Sequence, residues 1–336
     1  MTDCPYSYQP IKIGDITLPH NVILAPMSGI TDKPFRQIVR QWGGGLVVSE
    51  MIASHAFLQD VWIEMQKLKG VEQDEAPLSI QIAGWDPQMM AEAARLAEMR
   101  GAQFVDINMG CPAKKVTNRL SGSALMQDEV AVQDIVSAVV KAVSIPVTLK
   151  TRLGWDDDHK NAPTIAKIAE NEGVQMLAIH GRTRTQMYKG SADWELIAET
   201  VDAVSIPVCA NGDIIDVTTA QTALRQSNAQ GLLVGRGAMG RPWLLGQIAD
   251  MMAGEPIREA PSLTTRLSIM EEHVALYLQL YPETRLRHLR KHLSAYCDYL
   301  PSSEALRTSL MIADSRVKCE EALAHYRQQI AEQEAA

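Results

Sequence analysis

The chain has 336 residues, 46% of them hydrophobic, which suffices for one barrel-sized domain with a smaller appendage and excludes a disordered or fibrous polypeptide. Its net charge of −8 favours solubility and argues against indiscriminate polyanion binding, so any contact with nucleic acid is expected to be regional. Five cysteines (Cys4, Cys111, Cys209, Cys297, Cys319) lack both the CxxC spacing of a zinc site and the density of a disulfide scaffold, and read as free thiols. The first twenty residues lack the basic-then-apolar layout of a secretory signal, and no apolar run approaches the roughly 20 residues that span a bilayer. A cytoplasmic protein is expected.

From Val22 onward, short apolar runs alternate with amphipathic segments, the rhythm of βα units around a parallel sheet. The runs are VILAPM (22–27), GLVVSE (45–50), LSIQIAG (78–84), FVDINMG (104–110), PVTLKTRLG (146–154), MLAIHGR (176–182), PVCANGD (207–213) and GLLVGRGA (231–238). Among the intervening helices, Asp86–Arg100 has Asp86 as N-cap, Pro87 in the first turn and Gly101 at the end. Two connections, 54–75 and 113–128, are long enough to reach over a barrel mouth. No GxGxxG follows the first run, which ends in Ala25-Pro26-Met27, so the pattern fits a (β/α)8 TIM barrel better than an open doubly wound sheet.

The rhythm stops near Gly254, and the Pro-bearing segment 255–261 reads as a linker. Beyond it the pattern is helical only, at 264–279, 282–300, 303–312 and 316–333. The expected division is a barrel over 1–255 and an all-helical domain over 262–333. A barrel enzyme rarely needs such an addition unless its substrate is large.

Polar residues at the C-terminal ends of barrel strands point into the active-site mouth. Here they are Pro26-Met27-Ser28, Glu50, Gln81, Asn108 with Cys111, Lys150 with Arg152, His180 with Arg182, Asn211-Gly212-Asp213 and Gly235-Arg236. The last two sets occupy the strand pair where barrels commonly hold a phosphate, with glycines admitting backbone N–H groups and Arg236 supplying a fork of donors. A phosphorylated cofactor is implied. A carboxamide such as Gln81 can pair with the edge of an isoalloxazine, and a lysine such as Lys150 can stabilise a reduced, anionic flavin; a Schiff-base role for Lys150 stays open on these grounds.

The strings APMSGITDKPFR, SEM, QIAG, DINMGCPAKKV, TLKTRLGW, IHGRTRTQMYKGSADW, ANGDI and VGRGAMGRPW, in order from about Ile11 to Trp243, resemble those of the bacterial tRNA-dihydrouridine synthases, nearest the B type. The tail matches chiefly through LRKHLSAY (289–296). The resemblance implies a flavin barrel with a helical C-terminal domain that reduces the C5–C6 double bond of uridines in tRNA, using FMN and NADPH. It places FMN against Pro26, Met27, Ser28, Gln81, Lys150, His180, Asn211, Gly212, Asp213, Gly235 and Arg236. It also makes Cys111 the acid that protonates C5 after hydride passes from flavin N5 to C6. A thiol of ordinary pKa near 8.5 is mostly protonated at neutral pH and suits that task, whereas a nucleophilic cysteine would need a depressed pKa.

Asn108, Lys114, Arg152 and Arg182 are expected to hold the uracil edge or neighbouring phosphates, and Arg287, Arg290 and Lys291 to grip tRNA phosphates from the tail. No metal is expected, because His288 and His292 at i,i+4 lack a visible third ligand. Two rival readings are a small-molecule ene reductase of the dihydroorotate-dehydrogenase type, its tail serving oligomerisation, and an RNA-binding barrel that retains flavin without turnover. The basic helix opposes the first, and Cys111 with Lys150 opposes the second.

Overall fold

The structure, a computed structural model, describes residues 8–59 and 76–335. Cys4 and most of the long connection expected at 54–75 lie outside the described residues. Eight parallel strands form the barrel: β1 (Val22–Leu24), β2 (Leu46–Val48), β3 (Leu78–Ala83), β4 (Phe104–Asn108), β5 (Val147–Arg152), β6 (Met176–His180), β7 (Val208–Asn211) and β8 (Gly231–Val234). Each pairs with its sequence neighbour, and β8 pairs with β1 to close the ring. Each strand falls within one of the eight apolar runs, and the last residues of each run pass into the loop that follows it.

The helices outside the barrel are α1 (Lys33–Gln41), α2 (Pro87–Met99), α3 (Glu129–Ala142), α4 (Ala162–Asn171), α5 (Glu195–Val201), α6 (Val217–Ser227) and α7 (Leu244–Ala253). As expected, Asp86 caps α2 by accepting from Met89 N–H at 2.8 Å, and Gly101 follows at φ +85°. Two hydrophobic layers hold the ring. Alanines and β-branched residues such as Ala93, Ile135, Ile165 and Ala220 pack helices on the sheet. Leu46, Val48, Phe104, Met176, Ala178 and Leu233 fill the inside, with Ile13 from a small hairpin (Lys12–Ile13 with Ile16–Thr17) in the same cluster. A cavity of about 10 Å³ lies among the inward side chains, too small for a channel, so this is a core and not a pore. Cys209 belongs to that core, where burial pushes its thiol up to about 12.

The chain then folds into α8 (Leu263–Leu280), α9 (Leu286–Cys297), α10 (Glu304–Ile312) and α11 (Arg316–Ala335) around a separate apolar cluster. Ile38 of α1 and Trp243 join that cluster, and Phe35 of α1 packs on the rings of His273 and His292 at centroid distances of 5.8 and 4.7 Å. The segment between barrel and tail is pinned back, since the Arg258 backbone N–H and guanidinium both donate to Asp250. No helix among the described residues is long and apolar enough to cross a membrane.

Candidate active site at the barrel mouth

Asn108 closes β4, and its side-chain oxygen accepts from the backbone N–H groups of Gly110 (3.2 Å) and Cys111 (3.0 Å). This local bond turns the chain out of the sheet. On the other side, Ser123 donates its N–H (3.2 Å) and hydroxyl (2.9 Å) to the Cys111 carbonyl, and Arg152 Nε donates to the Gly110 carbonyl at 2.7 Å. Gly122, at φ +62°, lets this returning 3-10 turn approach, because a Cβ there would stand 2.8 Å from the Cys111 oxygen. The backbone at Cys111 is therefore held from both sides while the residue stays half-buried at the mouth.

Beside it, in register with Asn108, stands Lys150. Burial and then the Arg152 charge push its ammonium down to about 8, opposed by the Asp106 carboxylate. Gln81, on β3, donates to Asp106 at 2.7 Å and accepts from Asn108 at 2.8 Å, and Thr148 donates to the other Asp106 oxygen at 2.6 Å. Across the mouth His180 is buried, and its imidazole is held well below its ordinary pKa by burial first and then by Lys150, Arg152, Arg182 and Arg236. It is a neutral ring at physiological pH.

Arg152 and Arg182, each 2% exposed, reach the mouth but direct most of their donors at the protein. Arg152 Nη1 donates to the carbonyls of Thr183 and Met187, both at 3.0 Å. Arg182 donates to the carbonyls of Lys189 (3.1 Å) and Gly190 (2.6 Å) and forms a two-pronged pair with Asp213 at 3.0 and 2.5 Å. The two guanidiniums thus brace the loop after β6 and the exposed Tyr188 on it. Burial raises the Asp213 pKa, but hydrogen bonds from Arg182 and the Ala192 N–H, with the charges of Arg182 and Arg236, outweigh it and hold the carboxyl below its usual value.

Asn211 donates to the Leu233 carbonyl at 2.7 Å, tying β7 to β8. Gly212, at φ +114°, sits where a Cβ would strike the His180 ring at 2.7 Å, and a Cβ at Gly235 would stand 3.4 Å from Met27 Sδ. Arg236 is 59% exposed and 3.3 Å from Asp213. Two side-chain-free positions, an exposed guanidinium and a buried neutral imidazole fit an anionic phosphate, while Lys150 and the carboxamides fit an electron-accepting heterocycle. The residues expected to hold a phosphorylated flavin are thus gathered at one mouth. Pro26 and Met27 are partly exposed there and Ser28 is exposed, on a loop whose Gly29 N–H donates to Glu50 at 2.5 Å.

Lys114 is exposed at the start of the short helix Lys114–Thr117 after Cys111. On α9, Arg287 and Lys291 are exposed one turn apart, and the Lys291 ammonium reaches the β1 loop, 2.9 Å from where a Cβ on Gly29 would stand. Arg290 differs from expectation. It turns inward and donates to the Ala313 carbonyl at 3.1 Å, closing the end of α10. His288 and His292 also part company, His288 lying exposed and His292 buried beside His273 and Asp32, whose ligand-type atoms all lie within 4.8 Å of one another. Glu50 was expected at the mouth and takes the Gly29 N–H there, whereas Asp106 was not among the expected residues. For Asp106 the available signal was strand alternation, which turns 106 to the same face as 108.

A family model described as Dihydrouridine synthase (Dus) matches residues 23–333. A probable tRNA-dihydrouridine synthase of Rickettsia bellii is 47% identical over 317 residues, covering 94% of this chain and 97% of the relative. The tRNA-dihydrouridine synthase B of Pseudomonas aeruginosa is 47% identical over 312 residues, covering 92% and 93%. Among solved structures, a 2-naphthoyl-CoA reductase complex superposes with a TM-score of 0.57 at 15% identity, covering 74% of this chain and 52% of the other. Morphinone reductase in complex with tetrahydroNAD gives 0.52 at 14%, covering 78% and 94%. At such identities these structures speak for the barrel fold alone. The family match and the relatives, together with the Cys111 loop at the barrel mouth, establish that this chain belongs to the dihydrouridine synthase family.

Proposed function

We propose that the protein reduces the C5–C6 bond of uridines in tRNA, with FMN bound at the mouth and NADPH as reductant. The observation that carries this reading is Cys111, held half-buried by a fixed backbone beside Lys150. When bound, reduced FMN supplies the hydride. Cys111 then gives its proton to C5 from the opposite face, a step for which the braced backbone sets the thiol's reach. Lys150 places a cation where negative charge accumulates on a reduced flavin. Gly212, Gly235, Arg236, His180 and Asn211 form the phosphate end, and Pro26, Met27, Ser28, Gln81 and Asp213 complete the cradle.

Asn108 and Lys114 are assigned to the uridine and its flanking phosphates. Arg152 and Arg182 serve by bracing the surrounding loops, as their hydrogen bonds to backbone carbonyls support. Extruding a uridine from its stack costs a few kcal/mol, and the helical unit over 262–333 offsets this by gripping the rest of the tRNA through Arg287 and Lys291. Arg290 supports that grip by closing α10.

The direct test is mass spectrometry of tRNA lacking dihydrouridine after incubation with the purified protein, FMN and NADPH. Formation of dihydrouridine at defined uridines is the expected result. Its absence, with flavin bound and reducible, would refute the assignment.

A further inference from the structure

Four hydrogen bonds run in series from the barrel interior to the Cys111 loop. Gln81 Nε2 donates to Asp106 Oδ2 (2.7 Å), Asn108 Nδ2 donates to Gln81 Oε1 (2.8 Å), and Asn108 Oδ1 accepts from the N–H groups of Gly110 (3.2 Å) and Cys111 (3.0 Å). At one end a carboxylate can only accept; at the other, two backbone N–H groups can only donate. Between them lie two carboxamides, and only one orientation of each satisfies the series. Turning either about its last torsion would set NH2 against NH2, or NH2 against N–H.

Gln81, Asp106 and Asn108 are 1%, 4% and 7% exposed, so water cannot replace a broken link. Asp106 is itself fixed, its second oxygen taking the Thr148 hydroxyl at 2.6 Å. Burial dominates and leaves its pKa raised, against the donors Thr148 and Gln81 and the Lys150 charge, which favour the ionised form.

We propose that Asp106 is a positioning residue of the reaction: its carboxylate anchors a relay of two carboxamides, Gln81 and Asn108, that fixes the Gly110–Cys111 backbone and with it the reach of the thiol. The catalytic part rests on the proposed role of Cys111; the structural part does not.

Hydrogen exchange by mass spectrometry on the flavin-bound protein reads the relay without any turnover. Asp106→Leu removes the anchor, and exchange at Gly110 and Cys111 is expected to quicken about tenfold, the loss of roughly one buried hydrogen bond. Asp106→Asn keeps an oxygen facing Gln81, so its exchange should stay within about threefold of wild type. Gln81→Leu breaks the series in the middle with Asp106 in place, and decides the matter if Asp106→Leu does not fold.

Unchanged exchange in Gln81→Leu, or in a folded Asp106→Leu, would overturn the relay. Asp106→Asn exchanging as fast as Asp106→Leu would also overturn it, making charge and not acceptor geometry the agent. Faster exchange should accompany slower dihydrouridine formation when tRNA is added to enzyme whose flavin is already reduced, and undiminished formation in that single turnover would overturn the positioning role. If wild type itself forms no dihydrouridine, the proposed function fails while the exchange result still judges the relay.

Discussion

Lys150 ionises close to physiological pH because burial, reinforced by Arg152, pushes its ammonium down to about 8. The cation is present below that value and lost above it. Flavin reduction by NADPH, a half-reaction that does not use Cys111, should therefore slow as pH rises through about 8 in stopped-flow traces. The falling limb should be absent in Lys150→Met, and the same limb in both proteins would assign the ionisation elsewhere. Residue identity and strand position sufficed to gather Gln81, Asn108, Cys111, Lys150, His180 and Arg236 at one mouth, because each lies in the C-terminal half of a barrel strand or in the loop after it. The duties of Arg152 and Arg182 were not legible in the same way. Their charge shows in the sequence, but the carbonyls of Thr183, Met187, Lys189 and Gly190 that take up their donors converge only when the β6 loop is folded.

At the level of elements, the apolar runs located every barrel strand and overran most of them at the C-terminal end. The run at 22–27 yields only Val22–Leu24, since Pro26 has no N–H for a ladder and Met27 turns to bond Thr31. In the tail, the segment expected as one helix from 282 splits into a 3-10 turn, Glu283–Arg285, and α9. The turn after β8 meets α9 directly. Gly240 has φ +71°, and a Cβ there would fall on the Ala295 carbonyl, so backbone rests on backbone with no space for a side chain. Gly240→Ala should therefore loosen the tail from the barrel, lowering stability by about 2 kcal/mol or more and raising KM for tRNA above any change in flavin reduction. Thermal unfolding with steady-state kinetics checks this, and a variant with wild-type melting and KM would show that the contact yields freely.

For the molecule as a whole, the acidic balance of −8 and the expected tRNA substrate are reconciled by a local surface. Arg287 and Lys291 lie exposed on the α9 face, Lys291 reaching the β1 loop, so basic groups run from the tail to the mouth. Charge reversal at either position should weaken tRNA binding and reduce the slope of log K against log salt by about 1. A slope equal to wild type in a filter-binding series would remove that residue from the interface. The proposed division of labour, with chemistry in the barrel and grip in the helices, rests on the stop in the βα rhythm near Gly254. The way the two parts meet, through Phe35, Ile38 and Trp243, depends on surfaces that the sequence does not pair.

Single-turnover comparison of wild type with Cys111→Ala decides whether Cys111 is the proton donor to a uridine in tRNA. Flavin should be bound and reduced by NADPH at the wild-type rate in both, while dihydrouridine formation on adding tRNA should fall by about 10²- to 10⁴-fold in the variant. Formation at an undiminished rate in Cys111→Ala would contradict the account.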